Sequence, residues 1–312
     1  MGKRAKSKPL RFIDLFAGIG GFHLALHSNS TQGIHPTECV FVSEWDSHAR
    51  ATYERNFKKH SPAIFQRDPV TGEQTNFAGD ITKIPPASIP DFDILCGGFP
   101  CQPFSQAGLK KGMDEARGTL FFDIAQILKE KSPEAFFLEN VRGLLNHHSG
   151  DKKTIDIIEN TLRVLGYSFD VFLVRASDYG VPQHRPRLFM IGFKEIENRE
   201  KFISSLPRPK KLKLTMSEVM GGKVDRKIGF TLRVGGRNSG VADRRNWDTY
   251  LVDGKEVVLQ KEQGLAMQGF PKNFRFPDSI SETQAMKQLG NSVAVPAIEA
   301  YAQAIVKALR GA

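Results

Sequence analysis

The sequence predicts an α/β fold: a mostly parallel sheet covered by helices on both faces, joined to a smaller, loop-rich domain. Three observations predict it. Over the first 193 residues, short apolar runs alternate with segments of helical spacing, as in chained βαβ units. After residue 193 the alternation stops, and Gly221, Gly222, Gly229, Gly235, Gly236 and Gly240 punctuate a stretch of weak periodicity. Residues 294–309 then regain helical spacing and are expected to return to the first domain. With 312 residues the chain can hold one large domain at 1–193 and a smaller one at 194–283, with 284–312 as the returning segment.

Element by element, residues 10–16 read as a buried strand ending in Ala17-Gly18-Ile19-Gly20-Gly21, with a helix from Phe22. Residues 40–43 are a strand and 48–57 a helix. The apolar run 92–96 is a strand leading into Gly97-Gly98-Phe99-Pro100-Cys101. Leu120, Ile124, Ile127 and Leu128 share one helical face over 120–131. A strand at 135–138 and a helix at 154–165 follow. Strands at 169–174 and 188–193, joined by a short loop, are expected to form an antiparallel pair at one sheet edge.

Charge narrows the partners. The net charge is +10, which favours a polyanion. The excess concentrates between Arg208 and Arg245, where eleven Lys or Arg face only Glu218, Asp225 and Asp243, a local net of +8. Arg226, Arg233, Arg237, Arg244 and Arg245 dominate its second half, and arginine's planar fork suits phosphates and guanine edges. The cysteines Cys39, Cys96 and Cys101 are odd in number, against a disulfide-stapled secreted domain. Cys96 and Cys101 have no second pair to build a zinc site, so no metal is expected. No stretch approaches the ~20 apolar residues of a membrane span, and no apolar region follows the basic residues 1–8 as in a signal peptide. A cytoplasmic monomer without membrane attachment is expected.

The most informative run is Gly97-Gly98-Phe99-Pro100-Cys101-Gln102-Pro103-Phe104-Ser105. A cysteine follows a glycine- and proline-bearing strand end, and glycines continue through residue 118. A nucleophile is presented this way at the carboxyl edge of a parallel strand, under a loop that closes over substrate. Gly-Phe-Pro-Cys-Gln-Pro-Phe-Ser closely resembles the nucleophile motif of the cytosine-C5 DNA methyltransferases. Glu139-Asn140-Val141, Gln183-His184-Arg185-Pro186-Arg187, Gln268-Gly269-Phe270-Pro271 and Gln288-Leu289-Gly290-Asn291-Ser292-Val293 resemble further motifs of that family, in its order.

The resemblance implies the Rossmann-like fold of S-adenosylmethionine-dependent methyltransferases and a target-recognition domain at 194–283. It implies a methyl donor, S-adenosyl-L-methionine, held by Phe16, Gly18, Ile19, Gly20, Gly21, Glu44, Trp45, Asp80, Ile81, Pro100, Leu120, Asn291, Ser292 and Val293. The glycine turn lacks the full spacing that holds a pyrophosphate, which a phosphate-free ligand tolerates. On this reading Glu44 accepts from ribose hydroxyls, Trp45 stacks on adenine and Asp80 accepts from the adenine amino group. Cys101 is the nucleophile toward C6 of cytosine and Glu139 donates a proton to N3. Arg185 supports O2, and Arg187 buttresses the site. A duplex cytosine must be rotated out of the stack. Ser105 and Gln106 are expected near the vacated position, with Lys110 and Lys111 on the phosphates. Thr231-Leu232 resembles the Thr-Leu pair of the family's recognition region, and Thr231, Arg233, Arg237, Arg244 and Arg245 are expected at the DNA. The expected substrate is duplex DNA, with a cognate restriction endonuclease as a possible partner; an RNA (tRNA) cytosine-C5 methyltransferase is the alternative. A nicotinamide-dependent oxidoreductase would leave Cys101, Glu139 and Arg185 without a role.

Overall fold

The computed structural model describes residues 8–31, 35–100, 120–149 and 151–311. Strands β1 (Leu10–Leu15), β2 (Thr37–Ser43), β3 (Phe77–Ala78), β4 (Ile94–Gly98) and β5 (Ala135–Val141) run parallel. A small hairpin, β6 (His148–Ser149) and β7 (Lys152–Lys153), follows β5. β8 (Ser168–Arg175) and β9 (Pro186–Phe193) complete a seven-stranded sheet of order β3-β2-β1-β4-β5-β9-β8. β9 is antiparallel to both β5 and β8, so the antiparallel edge pair stands where the sequence places it.

Alternation along each strand divides the core into two faces. Leu10 and Phe12 of β1 and Phe137 of β5 face one apolar cluster. Ile13, Leu15, Phe136 and Leu138 face the other. The helix Leu120–Lys131 covers the second face with Phe121, Ile124 and Leu128, and its Asp123 and Lys131 sit at the ends the helix dipole favours. On the first face the helix Gly21–Thr31 packs against the C-terminal helix Val295–Arg310. Tyr301 of that last helix contacts the rings of Phe137, Phe189 and Phe202, so the tail does return to the sheet.

Several elements differ from the sequence reading. β4 starts at Ile94 rather than at 92, because Asp93 is tied to β1 just before the strand: its N–H donates to Arg11 O and its carboxylate accepts from Arg11 N at 2.7 Å. The helix Ile196–Ser204, assigned by sequence to the smaller domain, packs on β8, β9 and the C-terminal helix and buries Phe202 in the main core. The helix Glu282–Asn291 carries few apolar residues but is capped by Ser281, whose hydroxyl accepts from Gln284 N at 3.3 Å. Residues 282–310 form a helical run long and apolar enough to cross a membrane by length and composition, which the sequence reading did not find. Its most apolar window is 78% buried inside the molecule.

The segment between β9 and the last helices is loop-rich, as its glycines suggest. Its regular pieces are the helix Met216–Met220, the hairpin β10 (Thr249–Val252) and β11 (Lys255–Val258), and the helix Lys261–Gln268. Trp247 anchors the loops: it is 1% exposed and its indole N–H donates to Gly235 O at 2.8 Å.

Candidate active site

Strand order reverses beside β1, and the crevice this leaves at the carboxyl ends of the strands is where open α/β sheets bind ligands. A cavity of about 590 Å³ lies there. It has two chemically different ends.

At one end the chain leaves β1 through Phe16, held in left-handed backbone at φ 54°, and enters the glycine turn. Gly20 has φ 87°, and a Cβ there would lie 2.2 Å from the Phe57 ring, so only glycine permits the turn to pack on the helix Ser47–Phe57. Glu44, 8% exposed at the end of β2, accepts from Gly18 N at 2.7 Å and from Asp46 N at 2.8 Å. Burial pushes its carboxyl up, and the Asp46 and Gly18 N–H groups pull it back. Trp45 is 83% exposed on the rim. Asp80 caps the turn Ile81–Lys83 by accepting from Thr82 N at 3.1 Å. Phe16, Gly18, Glu44, Trp45, Asp80, Ile81, Pro100, Leu120 and Asn291 all line the cavity.

Five residues expected around the cofactor are held by packing beside the cavity. Ile19 is fully buried in the core. Gly20 packs on Phe57, and a Cβ on Gly21 would meet the Val293 side chain at 2.4 Å. Ser292 offers its carbonyl to Arg185. The side-chain positions of Gly20 and Gly21 thus face Phe57 and Val293.

At the other end lies Glu139, near the carboxyl end of β5 and 8% exposed, with Arg187 Nε 2.8 Å from its Oε1. Burial raises the Glu139 carboxyl, while Arg187 and then Arg185 act against the rise. The two arginines have different partners. Arg185, 2% exposed, donates Nη1 to Leu232 O at 3.1 Å and Nη2 to Gly290 O at 2.9 Å and to Ser292 O. Its two terminal nitrogens staple the recognition segment and the last motif to β9, while its Nε has no partner among the described residues and the side chain lines the cavity. Arg187 is the guanidinium paired with Glu139 at the cavity wall. Arg187→Ala is accordingly expected to fold and to lose turnover by about 100-fold or more. Arg185→Ala, which strands three buried carbonyls, is expected to lose about 3 kcal/mol or more of stability. Denaturant unfolding beside kcat measurements separates the two.

Two residues inside the recognised motifs have roles the sequence reading left unassigned. Asn140 Nδ2 donates to Phe99 O at 2.9 Å and its Oδ1 accepts from Val141 N at 2.8 Å, bracing the chain just before Pro100. Gln183 Nε2 donates to Met267 O at 3.2 Å and its Oε1 accepts from Leu232 N at 3.3 Å.

The expected DNA contacts divide. The Thr231 hydroxyl donates to His184 O, which pins the Thr-Leu pair beside Arg185. Arg237 is committed inward: Nε donates to the buried Asp248 carboxylate at 3.2 Å and Nη2 to Leu259 O at 2.7 Å. It holds Asp248 and the loop in place. Arg245 pairs with Asp243 at 2.9 Å on the surface. Arg233 and Arg244 are exposed and have no acid partner among the described residues. Cys101, Ser105, Gln106, Lys110 and Lys111 lie outside the described residues.

The C-5 cytosine-specific DNA methylase model matches residues 10–250 and 254–307. The chain belongs to the C-5 cytosine-specific DNA methylase family. Among its relatives, the Type II methyltransferase M.SsoII of Shigella sonnei is 40% identical, over 96% of this chain and 80% of that protein. The Type II methyltransferase M.HhaI of Haemophilus parahaemolyticus is 38% identical, over 96% of this chain and 95% of its own. The fold is that of a DNMT2 mutant of Spodoptera frugiperda (TM-score 0.68, 18% identity, 95% of this chain and 99% of that one). A putative DNA modification methyltransferase of an E. coli prophage shares it too (TM-score 0.66, 20% identity, 96% and 99%). As a member of this family of restriction–modification enzymes, the chain is a DNA (cytosine-5-)-methyltransferase. The methylase motifs thus meet at one cavity: Glu139, Pro100 and Arg187 at one end, Glu44 and Asp80 at the other.

Proposed function

We propose that the chain methylates C5 of a cytosine rotated out of duplex DNA at one short sequence, through a covalent bond between Cys101 and C6, with S-adenosyl-L-methionine as methyl donor. One observation carries the reading: the Glu139–Arg187 pair and Pro100, the residue before Cys101, share a cavity with two acids suited to a nucleoside.

The residues fit that donor better than a dinucleotide. Gly18 N–H, which a phosphate on the glycine turn would need, is already given to the Glu44 carboxylate. Carboxylates at Glu44 and Asp80 accept from hydroxyl and amino groups, which the ribose and adenine of the donor offer, and would repel phosphate. Bound there, S-adenosyl-L-methionine supplies an electrophilic methyl and leaves as S-adenosyl-L-homocysteine. Phe16, Trp45, Ile81 and Leu120 would flank it, and Asn291 would close the far side.

In the reaction the Cys101 thiolate adds to C6 and Glu139 gives its proton to N3, so the ring becomes an enamine nucleophilic at C5. Arg187 faces the exocyclic O2, where charge grows, and keeps Glu139 oriented. After methylation the C5 proton leaves to a base, which we place in solvent, the Cys101 sulfur departs with the C6 bond electrons, and N3 returns its proton to Glu139. Arg233, next to the pinned Thr231-Leu232, and Arg244 are exposed guanidinium groups that would meet DNA, joined by Ser105, Gln106, Lys110 and Lys111. A restriction endonuclease reading the same site is the partner this chemistry protects against.

Bisulfite sequencing of plasmid from a methylation-deficient host expressing the chain tests the reading. Protected cytosines at one repeated short sequence are expected. No protection, with protein that binds S-adenosyl-L-methionine, would overturn DNA as substrate in favour of RNA.

A further inference from the structure

We infer that Arg50 is a positioning residue for the methyl donor: its guanidinium fixes the spacing between Glu44 and Asp80. The inference rests on the cofactor reading above and concerns a residue outside every recognised motif.

Arg50 sits one turn into the helix Ser47–Phe57 and reaches back under both strand ends. Nη1 donates to Glu44 O at 3.2 Å and to Ala78 O at 2.5 Å. Nη2 donates to Phe77 O at 3.0 Å and to Gln74 Oε1 at 3.2 Å. The guanidinium lies over the Phe77 ring, 4.1 Å from its centroid. One planar group therefore binds the chain at Glu44 and the chain two residues before Asp80.

The strand it holds is short, and apart from Arg50 it is fixed by a two-residue register and by Phe77, which packs on Tyr53 and Phe65. β3 is two residues long, pairs only with β2 through Val42–Phe77 and Ser43–Ala78, and forms the sheet edge. Beyond that register, Glu44 N donates to Ala78 O at 3.1 Å, the same oxygen that Arg50 takes. Gly79 and Asp80 follow at once. Because Glu44 and Asp80 serve the ribose and the adenine of one nucleoside, whose separation is covalently limited, the spacing of the two acids sets its affinity. A lysine at 50 keeps the charge but not the planar fork that spans both strands.

The test compares Arg50→Ala and Arg50→Lys with the full-length wild type. S-adenosyl-L-methionine affinity is measured by calorimetry, with its KM, the KM for duplex DNA, kcat at saturating methyl donor, and thermal unfolding. The expected result for Arg50→Ala is an affinity for the donor lowered by about 10-fold or more, with kcat and the DNA KM within about 2-fold. Arg50→Lys should fall between. Equal donor affinity in wild type and variants overturns the inference. So does a parallel loss of DNA binding and kcat, which marks general loosening. If Arg50→Ala does not fold, Arg50→Lys decides by the same donor-to-DNA split. A wild type that binds no S-adenosyl-L-methionine instead overturns the cofactor reading, and this inference with it.

Discussion

Cys101→Ser should abolish methyl transfer and leave S-adenosyl-L-methionine affinity near wild type. A thiol is a few per cent ionised at neutral pH and its thiolate is a strong nucleophile, whereas a serine hydroxyl needs a dedicated base. No such base is expected, because Glu139 is required as a proton donor to the ring. The scaffold leading to the nucleophile does not depend on the sulfur: Phe99 is 4% exposed, Asn140 braces its carbonyl, and Pro100 lines the cavity. The substitution should therefore remove chemistry without removing the pocket. Duplex DNA with fluorine at the target C5 gives a second readout, since that position cannot be cleared as a proton. Wild type should form a denaturation-resistant adduct on it and Cys101→Ser should not. Substantial methylation by the variant would take Cys101 out of the mechanism.

The parts of this enzyme that were legible in the sequence are those where one residue type answers one local demand. Helix 120–131 follows from its spacing, and β1 from a short apolar run before glycines. Glu44, Asp80 and Glu139 were legible because each acid stands at or near the carboxyl end of a strand, and all three line one cavity. What stayed hidden depends on who sits opposite. Arg185 and Arg187 are two residues apart on β9 and look equivalent. Only the carbonyls of Leu232, Gly290 and Ser292, brought from over forty residues away, show that Arg185 is committed to the scaffold. Arg237 was grouped with the DNA-facing arginines for its charge, and buried Asp248 claims it. Arg50 lies in a helix with no motif, and its acceptors are backbone oxygens on other strands, which carry no signature in sequence.

Glu139→Gln tests the second half of the catalytic apparatus and separates function from stability. Turnover should fall by about 100- to 10,000-fold, the range of a lost general acid, in a protein that remains folded because the amide keeps the carboxyl's shape. The pH dependence follows from the direction of the Glu139 shift. Burial raises its carboxyl in the folded protein, against Arg187 and Arg185. A raised acid binds its proton more tightly folded than unfolded. Its contribution to stability is thus complete below the unfolded value and is lost as pH rises through the folded one. At neutral pH, Glu139→Gln, which has no proton to lose, should be at least as stable as wild type, and the difference should vanish in acid below the ordinary glutamate range. Wild-type kcat should fall as pH rises past the raised value, since the proton for N3 is gone, and the residual activity of the variant should lack that limb. Melting temperatures and kcat profiles across the same pH range check both halves. A variant less stable than wild type at neutral pH would mean that the Arg187 pairing outweighs the desolvation of Glu139. A wild-type profile with no alkaline loss would mean that the proton for N3 comes from another group.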